Sequence, residues 1–267
     1  MPELPEVQTV INGLQDTLKN GVITSIECNY PGTVIYDPEL GDEPFPSAVK
    51  AYERRGKYII IHLENAHSII VHLRMTGKLV WSTVGEETSK HQRACILVGD
   101  HHKIPFIDPR TFGKITICLT ANVGSYVTKL GAEPLSPEFT ADYLLQKLSR
   151  KKSPIKTALL DQSTVAGLGN IYVCEILYRA KIRPDRDSAG IRLPKLREVV
   201  KHTKAVLAEA LANNGTSISD FRRIDDKTGE FQNFLRVYQK KSCPLDHPIE
   251  NLRIAGRSSF YCPVCQK

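Results

Sequence analysis

The sequence predicts a chain of mixed class: an N-terminal β-sandwich or barrel-like domain with a flanking helix, then a helical domain, then a small cysteine-bearing unit. Short runs rich in β-branched and aromatic residues fill the stretch from Val22 to about Leu119. Helical patterns replace them after Gly131, and three of the seven cysteines cluster near the end of the chain. We therefore expect domains at residues 1–131, 132–240 and 241–267.

An amphipathic helix is expected at the N-terminus. Pro5 suits the first turn of a helix, where a missing N–H group costs nothing. Glu3 and Glu6 lie near the positive end of the helix dipole. One apolar face follows at helical spacing, formed by Val7, Val10, Ile11, Leu14 and Leu18.

The remaining elements follow from their periodicity. Strands are expected at 58–63 and 68–73, joined by a hairpin turn at 64–67, and again at 93–98 and 114–119. Helices are expected at 140–149, 155–161, 171–179 and 193–212.

The composition favours a polyanionic partner. The 267 residues carry a formal net charge of +7, which suits nucleic acid. No apolar run is long enough to span a bilayer and no signal peptide is evident, so we expect a cytoplasmic protein without a membrane partner. An odd number of cysteines argues against a disulfide framework.

The first residues suggest a nucleophile. Removal of Met1 would expose the secondary amine of Pro2, and a free α-amine has a pKa near ~7.7–8.0, so part of it is neutral at physiological pH. A neutral amine can form an iminium with a sugar carbon, and the adjacent Glu3 could transfer protons. On their own, proline and glutamate here are ordinary residues of a helix start.

Five further motifs change this balance: Arg54-Arg55-Gly56-Lys57-Tyr58, His72-Leu73-Arg74-Met75-Thr76-Gly77, Asp108-Pro109-Arg110-Thr111-Phe112-Gly113, Gly167-Leu168-Gly169-Asn170-Ile171-Tyr172, and the segment from Ala255-Gly256-Arg257 to Gln266. With the N-terminal Met-Pro-Glu-Leu-Pro-Glu, they resemble the formamidopyrimidine-DNA glycosylase (MutM) family along the whole chain. The resemblance implies a helix–two-turns–helix in the second domain and a zinc-finger hairpin in the third.

The resemblance also implies catalytic roles. Pro2 matches the proline that forms a Schiff base with the damaged nucleotide, Glu3 the general acid/base, and Glu6 a second carboxylate for proton shuttling. Lys57 matches a lysine that contacts phosphate and assists β-elimination. Arg257 matches an arginine that grips the phosphates beside the lesion and is linked with δ-elimination, although it could equally be a plain phosphate contact because arginine stays protonated.

Further residues are expected to touch DNA. Met75, Arg110 and Phe112 resemble the residues that fill the duplex when a base is extruded, where an arginine bonds the orphaned base and apolar side chains wedge the stack; alternatively, Met75 and Phe112 are core residues. Asn170 should contact phosphate; alternatively, it only caps a helix and makes no contact with DNA. The remaining candidates are His72, His91, Lys151 and Lys156. The polar segment 215–234 corresponds to the family's loop over the extruded base.

A metal site is expected at the C-terminus. Cys262 and Cys265 form a C-x2-C knuckle of the kind that binds zinc, and Cys243 supplies a third thiolate. The family normally has a second C-x2-C here, whereas this chain has Cys243-Pro244-Leu245-Asp246-His247. We expect one structural zinc ion bound by Cys243, His247, Cys262 and Cys265; Asp246 as the fourth ligand and an empty finger are the alternatives.

These features together predict a monomeric, bacterial-type base excision repair enzyme, associated with the nucleoid when on DNA. Its partner would be damaged double-stranded DNA, from which it would excise 8-oxoguanine and formamidopyrimidines before cleaving the strand by β,δ-elimination. The rival interpretations are an endonuclease VIII-type relative that prefers oxidised pyrimidines, a catalytically inactive DNA-binding module, and a zinc-finger regulator.

Overall fold

The computed structural model describes residues 1–19, 21–87, 89–217, 224–225 and 227–267. The chain forms two compact units: one comprises 1–128 with 214–230, and the other 129–213 with 231–267. Among the described residues, no helix is both long and apolar enough to cross a membrane.

The first unit is β-rich. It contains helices α1 (Leu4–Thr17) and α2 (Val123–Tyr126), the second preceded by a 3₁₀ turn at Thr120–Asn122. Its strands are β1 (Val22–Cys28), β2 (Val34–Tyr36), β3 (Ser47–Arg55), β4 (Tyr58–Leu63), β5 (His67–His72), β6 (Lys78–Leu79), β7 (Ser82–Thr83), β8 (Gln92–Val98), β9 (His102–Ile107) and β10 (Lys114–Leu119).

Two layers make up the predicted β-sandwich, which is confirmed. One layer has the order β2-β10-β5-β4-β3, and the other contains β1, β8, β9 and β6, with β7 also paired to β9. A short antiparallel pairing of β1 with β3 joins them, and β2 runs parallel to β10. Alternating side chains of both layers bury Ile59, Ile61, Ile96 and Phe106 in one core.

Helix α1 closes this core with the face that its sequence predicts. Val7, Val10, Ile11, Leu14 and Leu18 all belong to the buried cluster. The helix begins after Glu3, whose backbone N–H donates to the Glu6 carboxylate at 2.8 Å, in a capping box. The capping box and the buried apolar face therefore both support the predicted position of α1.

The second unit is mainly helical. Its helices are α3 (Ala141–Leu148), α4 (Ile155–Leu160), α5 (Asn170–Arg179) and α6 (Leu193–Ala212), with 3₁₀ turns at Ser188–Gly190 and Phe231–Phe234. It ends in an antiparallel hairpin of β11 (Glu250–Ile254) and β12 (Arg257–Tyr261), which packs against α5. Helix α5 starts at Asn170 with Gly169 as its cap, so the sequence-based assignment of Asn170 as the cap is wrong by one residue.

We predict that Phe106→Ala lowers the free energy of unfolding by about 3–5 kcal/mol, because the Phe106 ring is fully buried against Gly77 and Gly113. Phe112→Ala is the matched control, since that ring is 51% exposed and its loss should leave stability nearly unchanged. Urea unfolding measures both; equal losses would contradict this description of the core.

Candidate functional site

The N-terminus is held inside the first unit. Pro2 is buried, and Glu3 and Glu6 are each only 2% exposed. One oxygen of the Glu6 carboxylate accepts the N–H of Glu3, and the other accepts the N–H of Thr216 at 2.7 Å. Glu6 thus ties the start of α1 to the chain around residue 216.

The segment expected to cover an extruded base begins at this tie. Gly215 lies at φ +75°, and a side chain there would also collide with the Glu6 carboxylate. Residues 218–223 and 226 of the expected 215–234 loop lie outside the described residues.

Lys57 lies in the tight turn between β3 and β4. Arg55 pairs with Tyr58 across the hairpin, which leaves Gly56 and Lys57 as its two turn residues. Arg54 donates to the Gln8 side chain on α1 and to the carbonyl of Gly56, at 3.1 Å each. The turn that carries Lys57 is therefore fastened to the N-terminal helix, although Lys57 itself is largely buried.

His72 ends β5 near this turn. Burial first, and then the positive charges of Arg74 and Lys57, lower the pKa of His72 to about 3. The backbone N–H of Arg74 donates to Nδ1 at 3.0 Å, so the neutral ring carries its proton on Nε2. In the free protein, His72 therefore offers a neutral Nε2–H donor rather than a cation.

The fully buried carboxylate of Asp108 joins two loops. It accepts the N–H of Arg110 at 3.2 Å, the N–H of Gly113 at 2.8 Å, and the hydroxyl of Thr76. The loop that carries Arg110 and Phe112 is thereby bonded to the loop that carries Met75. Sequence reasoning quoted Asp108 only as part of a motif and missed this role.

The three predicted gap-filling residues are exposed. Met75 is 39% and Phe112 51% exposed, and the Arg110 guanidinium lies 5.0 Å from the centre of the Phe112 ring. Exposed apolar side chains on adjacent loops are typical of an interaction surface. The alternative that Met75 and Phe112 are core residues is therefore wrong.

His91 borders the same loops. Its carbonyl accepts the N–H of Asp108 at 3.0 Å, and its Nδ1 lies 3.4 Å from the Arg93 guanidinium. Arg93 also donates to the carbonyl of Asp108 at 2.8 Å. His91 is thus placed beside the Arg110 loop, and its contact with DNA stays a prediction.

In the second unit, a glycine-rich turn connects α4 to α5. The side chain of Gln162 organises it: the amide N–H donates to the carbonyls of Leu160 and Leu168, and the amide oxygen accepts the N–H of Gly167, all at 2.9 Å. Asn170 then opens α5, with its amide donating to the carbonyl of Ser258 at 3.0 Å. Gln162 is a second organising residue that the sequence did not reveal.

The two lysines predicted to contact DNA in this unit are both engaged with protein. Lys151 donates to the Asp161 carboxylate and to the Thr164 hydroxyl. Lys156 has no exposed surface, which contradicts the DNA contact expected of it. Its ammonium group donates instead to the carbonyl of Ser258 at 2.6 Å and to the hydroxyl of Ser259 at 2.7 Å.

Arg257 follows a two-residue turn at the tip of the C-terminal hairpin. Ala255 and Gly256 both have positive φ, at 46° and 76°, as the tightest hairpin turns require. Ile254 pairs with Arg257 across the turn, and the Arg257 side chain is exposed. An arginine in this position can reach a ligand beyond the protein surface.

Four side chains form a cluster that could bind a metal ion. The ligand atoms of Cys243, His247, Cys262 and Cys265 all lie within 4.8 Å of one another. His247 Nδ1 is 3.3 Å from Cys265 Sγ and 3.6 Å from Cys243 Sγ. The ligand atoms of a tetrahedral zinc ion stand roughly 3.5–3.8 Å apart, so the donors fit, with His247 rather than Asp246 in fourth place.

A buried carboxylate anchors the chain before this cluster. Glu175 is fully buried on α5 and accepts the backbone N–H groups of Arg236, Val237 and Tyr238, each at 2.9 Å. Sequence reasoning did not single out Glu175, because nothing in its local pattern shows which distant N–H groups it would meet.

Two family profiles match the chain. "Formamidopyrimidine-DNA glycosylase N-terminal domain" matches residues 1–115, and "Formamidopyrimidine-DNA glycosylase H2TH domain" matches residues 130–222. Among proteins named formamidopyrimidine-DNA glycosylase, that of Nostoc punctiforme is 39% identical, covering 100% of this chain and 96% of its own length. That of Pelotomaculum thermopropionicum is 38% identical, covering 100% and 99%.

Solved structures give the same result. A Lactococcus lactis FPG (MutM) in complex with DNA containing FAPY-dG matches with a TM-score of 0.90 at 33% identity, covering 99% of this chain and 100% of that one. A complex of the L. lactis protein with DNA containing an abasic site matches with a TM-score of 0.91 at 33% identity, covering 99% of both chains.

We predict that His72 stays neutral from pH 8 to pH 5 in the folded protein, because its pKa is lowered to about 3. Below pH 6.5 the unfolded chain binds a proton at this residue that the folded chain does not, so stability falls as the pH drops. His72→Gln should lose less unfolding free energy than the wild type between pH 7 and pH 5. Long-range ¹H–¹⁵N spectra and urea unfolding test this; a His72 ring that titrates near pH 6.5 would contradict it.

Proposed function

The chain belongs to the formamidopyrimidine-DNA glycosylase family, and from that membership we propose that it is a base excision repair glycosylase and lyase. It excises oxidised purines, such as 8-oxoguanine and formamidopyrimidines, from double-stranded DNA and then cleaves the strand. The observation that carries the proposal is the N-terminus itself, where Pro2 and Glu3 are buried together and Glu6 holds Glu3 in place.

The reaction starts from the amine of Pro2 after Met1 has been removed. The neutral nitrogen attacks the sugar carbon that bears the damaged base, and the bond from that carbon to the base breaks. The departing base takes the electron pair and a proton, and the sugar opens to an iminium. Glu3 is the proton donor and acceptor in these steps because its carboxyl group adjoins the nucleophile.

Elimination completes the strand cleavage. The iminium acidifies the neighbouring sugar hydrogens, so the phosphates on the two sides leave in succession as β- and δ-elimination proceed. Lys57 assists from its turn beside α1, and Arg257 holds the phosphates that flank the lesion. We assign Glu6 a positioning role in preference to proton shuttling, since both its oxygens accept backbone N–H groups.

Extrusion of the damaged nucleotide is assigned to the two loops that Asp108 joins. Removing a base from the stack costs a few kcal/mol, and residues that fill the gap offset part of that cost. Met75 and Phe112 supply apolar surface, and Arg110 supplies donors for the orphaned base. His72 and His91 lie beside these loops as candidates for contact with the DNA backbone.

The second unit contributes phosphate contacts. Asn170 lies at the start of α5, where backbone N–H groups and the helix dipole favour an anion. The ammonium group of Lys151 uses two of its three N–H donors on Asp161 and Thr164, so the third can bond a phosphate. Because these contacts release counterions, binding should weaken steeply as salt rises.

The metal that fits the C-terminal cluster best is one structural zinc ion. Three thiolates and an imidazole are typical zinc ligands, and four protein ligands leave no position for a substrate. When bound, zinc would hold the hairpin that presents Arg257. We further propose that the enzyme acts as a monomer in the cytoplasm, on the nucleoid, where its DNA substrate lies.

We predict that borohydride traps a covalent complex between the processed protein and a duplex carrying one 8-oxoguanine opposite cytosine. Pro2→Gly, or retention of Met1, should reduce trapping by at least about 100-fold, because both remove the secondary amine. Glu3→Gln should impair base release while leaving DNA binding intact. Gel analysis of the trapped band measures each outcome.

Two controls make this test decisive. Lys19→Gln changes an exposed charge beyond the opposite end of α1 and should trap as the wild type does. A parallel duplex with an oxidised pyrimidine separates the endonuclease VIII-type alternative. Tight binding to the 8-oxoguanine duplex without any trapped band would instead indicate an inactive lesion-binding protein.

For the metal, we predict one zinc ion per chain and a loss of more than about 100-fold in zinc affinity in His247→Ala. Loss of a residue that only hydrogen-bonds a metal ligand already lowers metal affinity about 10–100-fold, so loss of a ligand itself should lower it further. Asp246→Ala is the matched control and should keep its zinc. Chelator competition gives the affinities; zinc loss in Asp246→Ala alone would reverse the ligand assignment.

A further inference from the structure

The interior of the second unit contains a lysine that the catalytic scheme does not use. Lys156 on α4 has no exposed surface. Its Nζ lies 2.6 Å from the Ser258 carbonyl, 2.7 Å from the Ser259 hydroxyl and 3.7 Å from Cys174 Sγ. An ammonium group has three N–H donors, and these contacts direct them inward, away from any external phosphate.

The acceptors of Lys156 lie directly after Arg257. Ser258 is its neighbour in β12, and the Ser258 carbonyl accepts a second bond, at 3.0 Å, from the Asn170 side chain of α5. Side chains of helices α4 and α5 thus both donate to the Ser258 carbonyl near the tip of the hairpin. On the other side of Arg257, the Ala255–Gly256 turn closes the hairpin with both residues at positive φ.

We propose that Lys156 is a positioning residue for Arg257: its buried ammonium group fixes the backbone at Ser258 and Ser259 and so sets where the arginine meets DNA. The proposal rests on the proposed function, in which Arg257 holds the phosphates beside the lesion. A charge-assisted bond is stronger than a neutral one and suits this task. Because Lys156 is buried, it acts through the hairpin and not by touching DNA.

Lys156→Met separates positioning from stability. Methionine keeps the length and apolar stem of the lysine, the Ser258 carbonyl keeps its bond from Asn170, and the hydrogen bonds that are lost should lower stability only modestly. The variant should therefore fold and keep its zinc, while strand cleavage falls about 10- to 100-fold because a shift of about 1 Å can have that effect. Lys152→Met, an exposed lysine in the same segment, should behave as the wild type.

The deciding experiment is a double-mutant cycle with Arg257→Ala. If Lys156 acts through Arg257, then Lys156→Met should change cleavage less than about twofold in the Arg257→Ala background, because the effects of coupled residues are not additive. A general loss of structure would lower cleavage equally in both backgrounds, and that result would overturn the proposal.

Salt dependence excludes a direct phosphate contact. Loss of one such contact lowers the slope of log affinity against log salt by about 0.9. In the Arg257→Ala background, Lys156→Met should leave this slope unchanged; a decrease there would show that Lys156 itself contacts DNA and would refute the proposal.

Failure of the role proposed for Arg257 and failure of the positioning role of Lys156 give different results. If Arg257→Ala alone has no effect on cleavage or binding, the role proposed for Arg257 is wrong. If Arg257→Ala is impaired but Lys156→Met is not, only the positioning role is wrong. Should Lys156→Met fail to fold, Ser259→Ala replaces it in the cycle: it removes one acceptor of the ammonium group and should show the same non-additivity at smaller size.

Discussion

A charged side chain can remain buried only where hydrogen bonds replace the water that it has lost, and this constraint shapes each part of the candidate site. The carboxylates of Glu6 and Glu175 accept backbone N–H groups from segments far away in sequence, and that of Asp108 accepts the hydroxyl of Thr76, 32 residues away. The ammonium group of Lys156 does the reverse and donates to a distant carbonyl. Each buried charge thereby holds the backbone of an irregular segment by hydrogen bonds. The exposed residues that would contact DNA lie on loops that are held in this way.

Much of the fold could be predicted because it depends on local periodicity. The strands at 58–63 and 114–119 and the helix at 193–212 begin and end where the pattern of apolar residues places them. The C-x2-C knuckle is equally local. The role of Asp108 was not accessible, because its partner Thr76 lies 32 residues away. The burial of Lys156, which is expected from the sequence to contact DNA, was not accessible for a similar reason, because its partners Ser258 and Ser259 lie about a hundred residues away.

The family resemblance supplied what periodicity could not. It selected Met75 and Phe112 from many apolar residues, and their exposure is consistent with that selection. It did not reveal which residues support them, since a motif records identities and not hydrogen bonds. The resemblance therefore identified the residues that would act on DNA, whereas the hydrogen bonds in the structure identified the residues that hold them in place.

The makeup of the C-terminal cluster has an electrostatic consequence. With a divalent cation bound as proposed, three thiolates and a neutral imidazole would carry one negative charge fewer than four thiolates. The proposed role of Arg257 brings its hairpin close to a polyanion, which every negative charge at the base of the hairpin would repel. As a ligand, His247 would therefore also reduce the repulsion between this hairpin and nucleic acid.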